Sequence, residues 1–225
     1  MRSPTLPPPT RTPSASAAAL GSGALAGVLL VLVAVEWGPL VAFDRAVADG
    51  LHDSAVRSPV LTRVNRVLSD WVWDPWTMRA LTALAVVWLW RARERLLAVW
   101  TGAVSLFGAA LQQTLKTVVG RDRPQWRDPV DTAHFAAFPS GHAMTAALTF
   151  GLLLWLLARY GRGPGTRAWR GVAVAGAVSV AGVGLTRVYL GVHWATDVLG
   201  GWLLGACVVA VAVLAYERTV LSRRR

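Results

Sequence analysis

The sequence predicts an all-α integral membrane protein built as a bundle of six transmembrane helices. Three observations carry this expectation. Apolar residues make up 54% of the 225-residue chain and charged residues only 16%. Mean hydropathy is +0.45, so a water-facing surface would lack polar side chains. The apolar residues fall into long runs nearly free of charge, as membrane spans do. The net charge of +11 sits in clusters between those runs, which suits topology signals and not a nucleic-acid-binding face. The single cysteine, Cys207, excludes an intrachain disulfide framework and a cysteine-based zinc site.

Along the chain, residues 1–19 are rich in Pro, Ser, Thr and Ala and hold no acid. This composition predicts a disordered tail. The apolar run that follows lacks a clear A-x-A cleavage site, which favours an uncleaved first span over a secretory signal peptide. Spans are expected near 17–35, 76–90, 96–116, 142–158, 171–186 and 194–216. They form one membrane domain over 20–217, followed by a basic tail at 218–225.

The second and fifth spans fall short of the roughly 20 residues a crossing needs. Arg79, Arg91, Arg170 and Arg187 bracket them and can snorkel to the interface. Trp76, Trp88 and Trp90 suit an interfacial belt. The stretch 37–75 carries Asp44, Asp49, Asp53, Asp70 and Asp74, and is expected to be partly helical along the interface. Gly200, Gly201 and Gly205 in the last span read as positions of close helix packing.

Basic residues set the expected orientation. Arg2 and Arg11 precede the first span, and Arg91, Arg93 and Arg95 separate the second and third. Arg159, Arg162, Arg167 and Arg170 separate the fourth and fifth, and Arg218, Arg223, Arg224 and Arg225 close the chain. With six spans, these thirteen of the 23 basic residues share one side. The positive-inside rule makes that side cytoplasmic, with both termini in. The expected location is the cytoplasmic membrane, multi-pass.

The residues suited to chemistry lie on the other face. Lys116, the chain's single lysine, ends the third span, and Arg123-Pro124 follows seven residues later. On a continued helix the two cations would stand near one face, about 10 Å apart along the axis. Pro124 marks an end to regular helix. Taken alone, this pair is better explained by snorkelling to headgroups. Pro139-Ser140-Gly141-His142 opens the fourth span. Ser140 suits an N-cap, Gly141 allows close approach of a backbone N–H, and a helix start favours an anion. His142 at that mouth can give or take a proton near neutral pH. An ordinary cap with an interfacial histidine is an equal alternative for this tetrapeptide alone.

Thr186-Arg187 and His193 to Asp197 flank the last hairpin. His193 and Asp197, four apart, share a face if helical, so Asp197 can fix one imidazole tautomer and leave the other nitrogen nucleophilic. An acid at the start of an apolar span is costly and needs a partner. Jointly, Lys116, Arg123 and Arg187 with Ser140 and Gly141 suit a phosphate and its trigonal-bipyramidal transition state. No carboxylate cluster suggests Mg²⁺ and the histidines lack zinc-ligand spacing, so no metal or cofactor is expected. Phosphoryl transfer through a phosphohistidine is the chemistry this set can perform. His52 and His134 lie outside these groups and are expected at the surface. Arg121, Arg127 and Asp128 are expected to line the mouth or solvate the loop.

These motifs resemble those of the type 2 phosphatidic acid phosphatase (PAP2) superfamily, whose active site is shared with vanadium haloperoxidases. The family pattern is K-x6-RP, PSGH and SR-x5-H-x3-D. Here it reads Lys116 to Pro124, Pro139 to His142 and Thr186 to Asp197, with Thr186 in place of serine. Order and spacing agree over residues 40–216. The resemblance implies that His193 attacks phosphorus, Asp197 orients it, and His142 protonates the leaving oxygen. It implies that Lys116, Arg123, Arg187, Ser140 and the Gly141 amide hold the phosphate oxygens.

The resemblance also implies a metal-independent lipid phosphatase working at the extracytoplasmic face. Its substrates would be undecaprenyl diphosphate, phosphatidic acid or phosphatidylglycerol phosphate, their tails held in membrane lipid. The spans disfavour a soluble haloperoxidase. A phosphate-capturing membrane transporter would use the same cations but would not need His193, Asp197 and His142. A catalytically silent relative is the third alternative. Oligomeric state is left open.

Overall fold

The computed structural model describes residues 13–222. Among them the chain forms eight α-helices: α1 Pro13–Ala34, α2 Gly38–Arg57, α3 Pro59–Val67, α4 Pro75–Arg91, α5 Arg95–Val119, α6 Gly141–Arg159, α7 Arg167–Tyr189 and α8 Ala195–Ser222. A single π-turn, Leu68–Val72, continues α3. The stretch 37–75 is thus helical in large part, as expected. The expected tail at 1–19 lies outside the described residues as far as 12. Helix α1 begins at Pro13, so the last part of that stretch is helical and not a tail. The basic tail expected from 218 is likewise helical through Ser222, because α8 continues without a break.

Five helices, α1, α5, α6, α7 and α8, are long and apolar enough to cross a membrane. The expected span at 76–90 is α4, whose 17 residues extend about 25 Å at 1.5 Å per residue, short of a hydrocarbon core of roughly 30 Å. Local chemistry sets the ends. Asp74 caps α4 by accepting from the Trp76 N–H at 2.7 Å, with Pro75 at the first helical position. Helix α5 stops at Gly120, whose left-handed φ of 61° lets its N–H return to the Lys116 carbonyl at 3.0 Å. The helix therefore ends five residues before Pro124, not at it.

Helix α6 is the centre of the bundle and packs against α4, α5, α7 and α8, while α1 lies along α8. Val104, Met144, Leu148, Leu152, Val208 and Ala212 form the main apolar core between α5, α6 and α8. A Cβ on Gly201 would stand 2.7 Å from the Ser140 carbonyl oxygen, and one on Gly205 2.9 Å from that of Met144. These glycines let α8 pass close to the α6 backbone, the role expected of them. Large apolar side chains such as Leu84, Leu106, Val118, Val174 and Leu185 face outward, as they do where lipid is the solvent.

The helix directions separate two ends. The C-termini of α5 and α7 and the N-termini of α6 and α8 meet at one end, with α2 beside them. Arg91, Arg95, Arg159 and Arg167 mark the other.

Candidate active site

The end free of the arginine cluster brings the three motif groups together. His193 lies in the short connection before α8, and Asp197 in the first turn of that helix. The two are not on one continuous helix, yet they pair. His193 Nδ1 is 3.3 Å from Asp197 Oδ2, which also accepts from the Trp194 N–H at 2.9 Å. A side chain at the third helical position reaching back to the residue before the helix is half of a capping box. Local helix-start chemistry thus aims the carboxylate at the imidazole.

Both side chains are buried, His193 at 2% and Asp197 at 0% exposure. Across the ring, His193 Nε2 lies 3.2 Å from Arg123 Nη1. A guanidinium can only donate, so Nε2 is the acceptor and Nδ1 carries the hydrogen that Asp197 accepts. Burial, then the charges of Arg123, Arg187 and Lys116, hold the imidazole well below its ordinary titration range. It is therefore neutral at neutral pH, with a lone pair on Nε2.

The three cations converge without a continued helix. Lys116 reaches in from the last turn of α5 and donates to the Ala136 carbonyl. Arg123 comes from the irregular segment after Gly120. Its Nε donates to the Phe135 carbonyl at 2.9 Å, its Nη2 to the His134 carbonyl at 3.0 Å, and its Nη1 to that of Val192. Burial and the neighbouring Arg187 lower its pKa to about 10, which leaves it a cation at neutral pH. Arg187, at the end of α7 and 5% exposed, donates from Nη1 to Ser69 Oγ at 2.8 Å. Asp70 and Asp131 stand 3.7 and 3.9 Å from the same nitrogen.

Ser140 occupies the N-cap position of α6, but its hydroxyl makes no cap hydrogen bond. Its Oγ is buried without a partner among the described residues, as is Arg187 Nε. The Ser140 N–H instead donates to the Asp197 carbonyl at 2.9 Å. Gly141 is buried against Gln112, which a Cβ would approach to 2.7 Å. Its amide belongs to the first helical turn, where N–H groups have no intrahelical acceptor. His142 stands one residue on, with Arg187, Arg123 and Lys116 as its charged neighbours and His193 beside them. All eight residues expected to form the site are thus gathered at one end of the bundle.

Other expectations are corrected. Arg121 does not merely solvate the loop: it lines a cavity with Asp44, Asp122 and Trp194, and its guanidinium is committed to buried partners. It donates to Asp197 Oδ1 at 2.6 Å, Thr196 Oγ1 at 2.8 Å and Asp44 Oδ2 at 2.7 Å, because two buried carboxylates need a counter-charge. His52 is not at the surface. It is 7% exposed and stacks on Trp126 at 3.9 Å, since α2 folds against the loop that carries that ring. His134 is exposed, as expected. Asp44, Ser69 and Asp131 were not anticipated as neighbours of the site. An acid directly after the apolar run Leu40-Val41-Ala42-Phe43 was the one signal for Asp44.

An all-helical membrane-type bundle with histidine, carboxylate and three cations gathered at one end defines the class. The PAP2 superfamily matches residues 97–220, and the chain belongs to that superfamily. It is 38% identical over 110 residues to phosphatidylglycerophosphatase B of Bacillus subtilis, covering 47% of this chain and 53% of that one. It is 28% identical over 132 residues to a lipid A 1-phosphatase of Rhizobium etli, covering 53% and 52%. It is 27% identical over 158 residues to an undecaprenyl-diphosphatase of Sulfolobus acidocaldarius, covering 64% and 63%. The chain thus spans about half the length of the first curated relatives it matches. The fold matches the crystal structure of a transmembrane PAP2-type phosphatidylglycerolphosphate phosphatase from Bacillus subtilis with a TM-score of 0.76. That match covers 91% of this chain and 98% of the other at 23% identity.

Proposed function

We propose that the protein hydrolyses a lipid-linked phosphate or diphosphate, without a metal, through a phosphohistidine on His193. The observation that carries this is an imidazole paired with Asp197 through Nδ1 and facing Arg123 through Nε2, beside two buried polar groups without partners among the described residues, Ser140 Oγ and Arg187 Nε. Buried polar groups without partners are uncommon, and a phosphate oxygen satisfies both.

In this scheme Lys116, Arg123 and Arg187 hold the phosphate oxygens with Ser140 and the Gly141 amide. His193 Nε2 attacks phosphorus, the bond to the lipid oxygen breaks, and that oxygen takes a proton from His142. The phosphate dianion offsets the surrounding cations and so favours the protonated His142 this step requires. Water then attacks phosphorus, the P–N bond breaks back to His193, and His142 takes the water's proton. The net products are inorganic phosphate and the dephosphorylated lipid, or a lipid monophosphate from a diphosphate.

The relatives' names span phosphatidylglycerophosphate, lipid A and undecaprenyl diphosphate, which supports a lipid phosphate as the shared chemistry. The same scheme counts α4 as a sixth crossing. It runs antiparallel to α5 through a three-residue turn, and its terminal arginines can reach the interface. The basic end then faces the cytoplasm and the site faces out.

The test is phosphate release in EDTA by detergent-purified protein, from undecaprenyl diphosphate and phosphatidic acid in parallel. Release is expected from at least one lipid and is abolished in His193→Ala. Release that survives in the variant would remove His193 from the chemistry. A reporter fused after Arg225 is expected in the cytoplasm, and a periplasmic signal would overturn the six-crossing topology.

A further inference from the structure

Asp44 lies outside every motif, yet it is 1% exposed and reaches from α2 to the start of α8. Its Oδ1 accepts from the Thr196 backbone N–H at 3.0 Å. Its Oδ2 accepts from the Thr196 hydroxyl at 2.5 Å and from Arg121 Nη2 at 2.7 Å. The other arm of Arg121 donates to Asp197 Oδ1 at 2.6 Å, and its guanidinium lies 5.6 Å from the centre of the Trp194 ring. Two carboxylates and one guanidinium, all buried or nearly so, form a closed set that ends on the oxygen pair facing His193.

Burying three charges is expensive, and a bridge kept only for stability could be replaced by apolar packing. This bridge has a more specific consequence. Arg121 grips Asp197 Oδ1, which fixes the rotation of the carboxylate and so the direction of Oδ2 toward His193 Nδ1. An unbalanced guanidinium there would also draw the carboxylate's charge away from the imidazole. Asp44 balances that guanidinium and aims its planar fork. It also satisfies an N–H of the first α8 turn, which would otherwise lack an acceptor.

We propose that Asp44 is a positioning residue for the histidine chemistry, acting through Arg121 on the orientation and charge of Asp197. This rests on the phosphatase function proposed above. Asp44 touches none of Lys116, Arg123, Arg187 and Ser140 in the described contacts, so its removal is expected to act on turnover and to spare binding.

The experiment measures kcat and KM for phosphate release from phosphatidic acid and undecaprenyl diphosphate. Wild type, Asp44→Asn, Arg121→Gln, their double variant, Thr196→Val and His193→Ala are compared as full-length protein in detergent. Asp44→Asn is expected to lower kcat about tenfold or more with KM within about twofold. The double variant, which loses both charges, is expected to be no slower than Arg121→Gln alone. Thr196→Val keeps every charge and deletes only the hydroxyl links, and a loss of about threefold is expected. It is the variant to rely on should Asp44→Asn not fold. Asp44→Asn or Thr196→Val with wild-type kcat, or a double-variant loss equal to the product of the single losses, would overturn the positioning role alone. A wild type that releases no phosphate from either lipid would overturn the phosphatase function and the positioning role with it.

Discussion

The Ser140 backbone N–H donates to the Asp197 carbonyl oxygen at 2.9 Å, and both residues are fully buried. This one bond ties the start of α6 to the start of α8. It therefore holds the Ser140 cap in register with the carboxylate that pairs with His193. Two motifs more than fifty residues apart become one rigid unit through it.

The tie depends on Gly201. A Cβ there would meet the Ser140 carbonyl oxygen at 2.7 Å and the Met144 backbone nitrogen at 3.0 Å, and backbone cannot yield as a flexible side chain can. Gly201→Ala is expected to cost about 1–3 kcal/mol and to lower kcat by spreading α6 from α8. At Gly27 in α1 a Cβ meets nothing within 4 Å, so Gly27→Ala is expected to leave both unchanged. Thermal melting in detergent, read with phosphate release, checks the pair.

Ser140 offers a sharper separation of stability from function. Its hydroxyl has no partner among the described residues, so Ser140→Ala removes no hydrogen bond seen in the fold. Melting is expected to change by less than about 0.5 kcal/mol. A hydrogen bond to a phosphate oxygen contributes about 1.5–3 kcal/mol, so kcat/KM is expected to fall about tenfold or more. Equal losses in stability and kcat/KM would assign the hydroxyl to the fold and not to the substrate.

The helices that could be seen in the sequence are those whose signal is local. Apolar runs announced α1 and α5 to α8, and the four-residue spacing of His193 and Asp197 announced their pairing, although a helix-start contact makes it and not a shared helix face. What escaped were partners joined only by folding. Arg121 was visible as a charge near a motif, but its carboxylates are 76 and 77 residues away, and no spacing rule spans that distance. Asp131 and Ser69 meet Arg187 for the same reason. The burial of His52 required knowing that α2 packs under Trp126, which composition does not reveal.

Titration gives an independent check on His193 as the proposed nucleophile. Burial and three cations depress the His193 pKa well below its ordinary value of about 6.5. The imidazole therefore stays neutral as pH falls through 6.5, and the acid limb of kcat/KM is expected clearly below that value. The linked effect on stability has a fixed sign. Below about 6.5 the unfolded chain takes up a proton that the folded site refuses, so this group makes the fold less stable as pH drops further. A pH–rate profile of phosphate release with an acid limb at 6.5 or above would mean that His193 is not the depressed, neutral group described.

Arg187 is the cation whose contacts a substrate would have to share. Its Nη1 lies 3.9 Å from Asp131 and 3.7 Å from Asp70, neither within hydrogen-bond reach, while its Nε has no partner among the described residues. If Arg187 binds phosphate as proposed, two acids within ion-pair range of it compete with the incoming dianion. Burial and the adjacent Asp131 raise the Asp70 pKa, so the two acids also repel each other. Asp131→Asn removes one competing charge at nearly constant shape. At a partly screened pair this is worth about 0.5–1 kcal/mol, so KM is expected to fall about two- to fivefold with kcat unchanged. Asp53→Asn breaks an exposed pair with Arg57 at 3.8 Å and is expected to change neither constant. Surface-dilution kinetics in mixed micelles measure both. A KM that rises in Asp131→Asn would mean that the carboxylate holds Arg187 in its binding pose, and that the acid belongs to the phosphate cradle and does not compete with it.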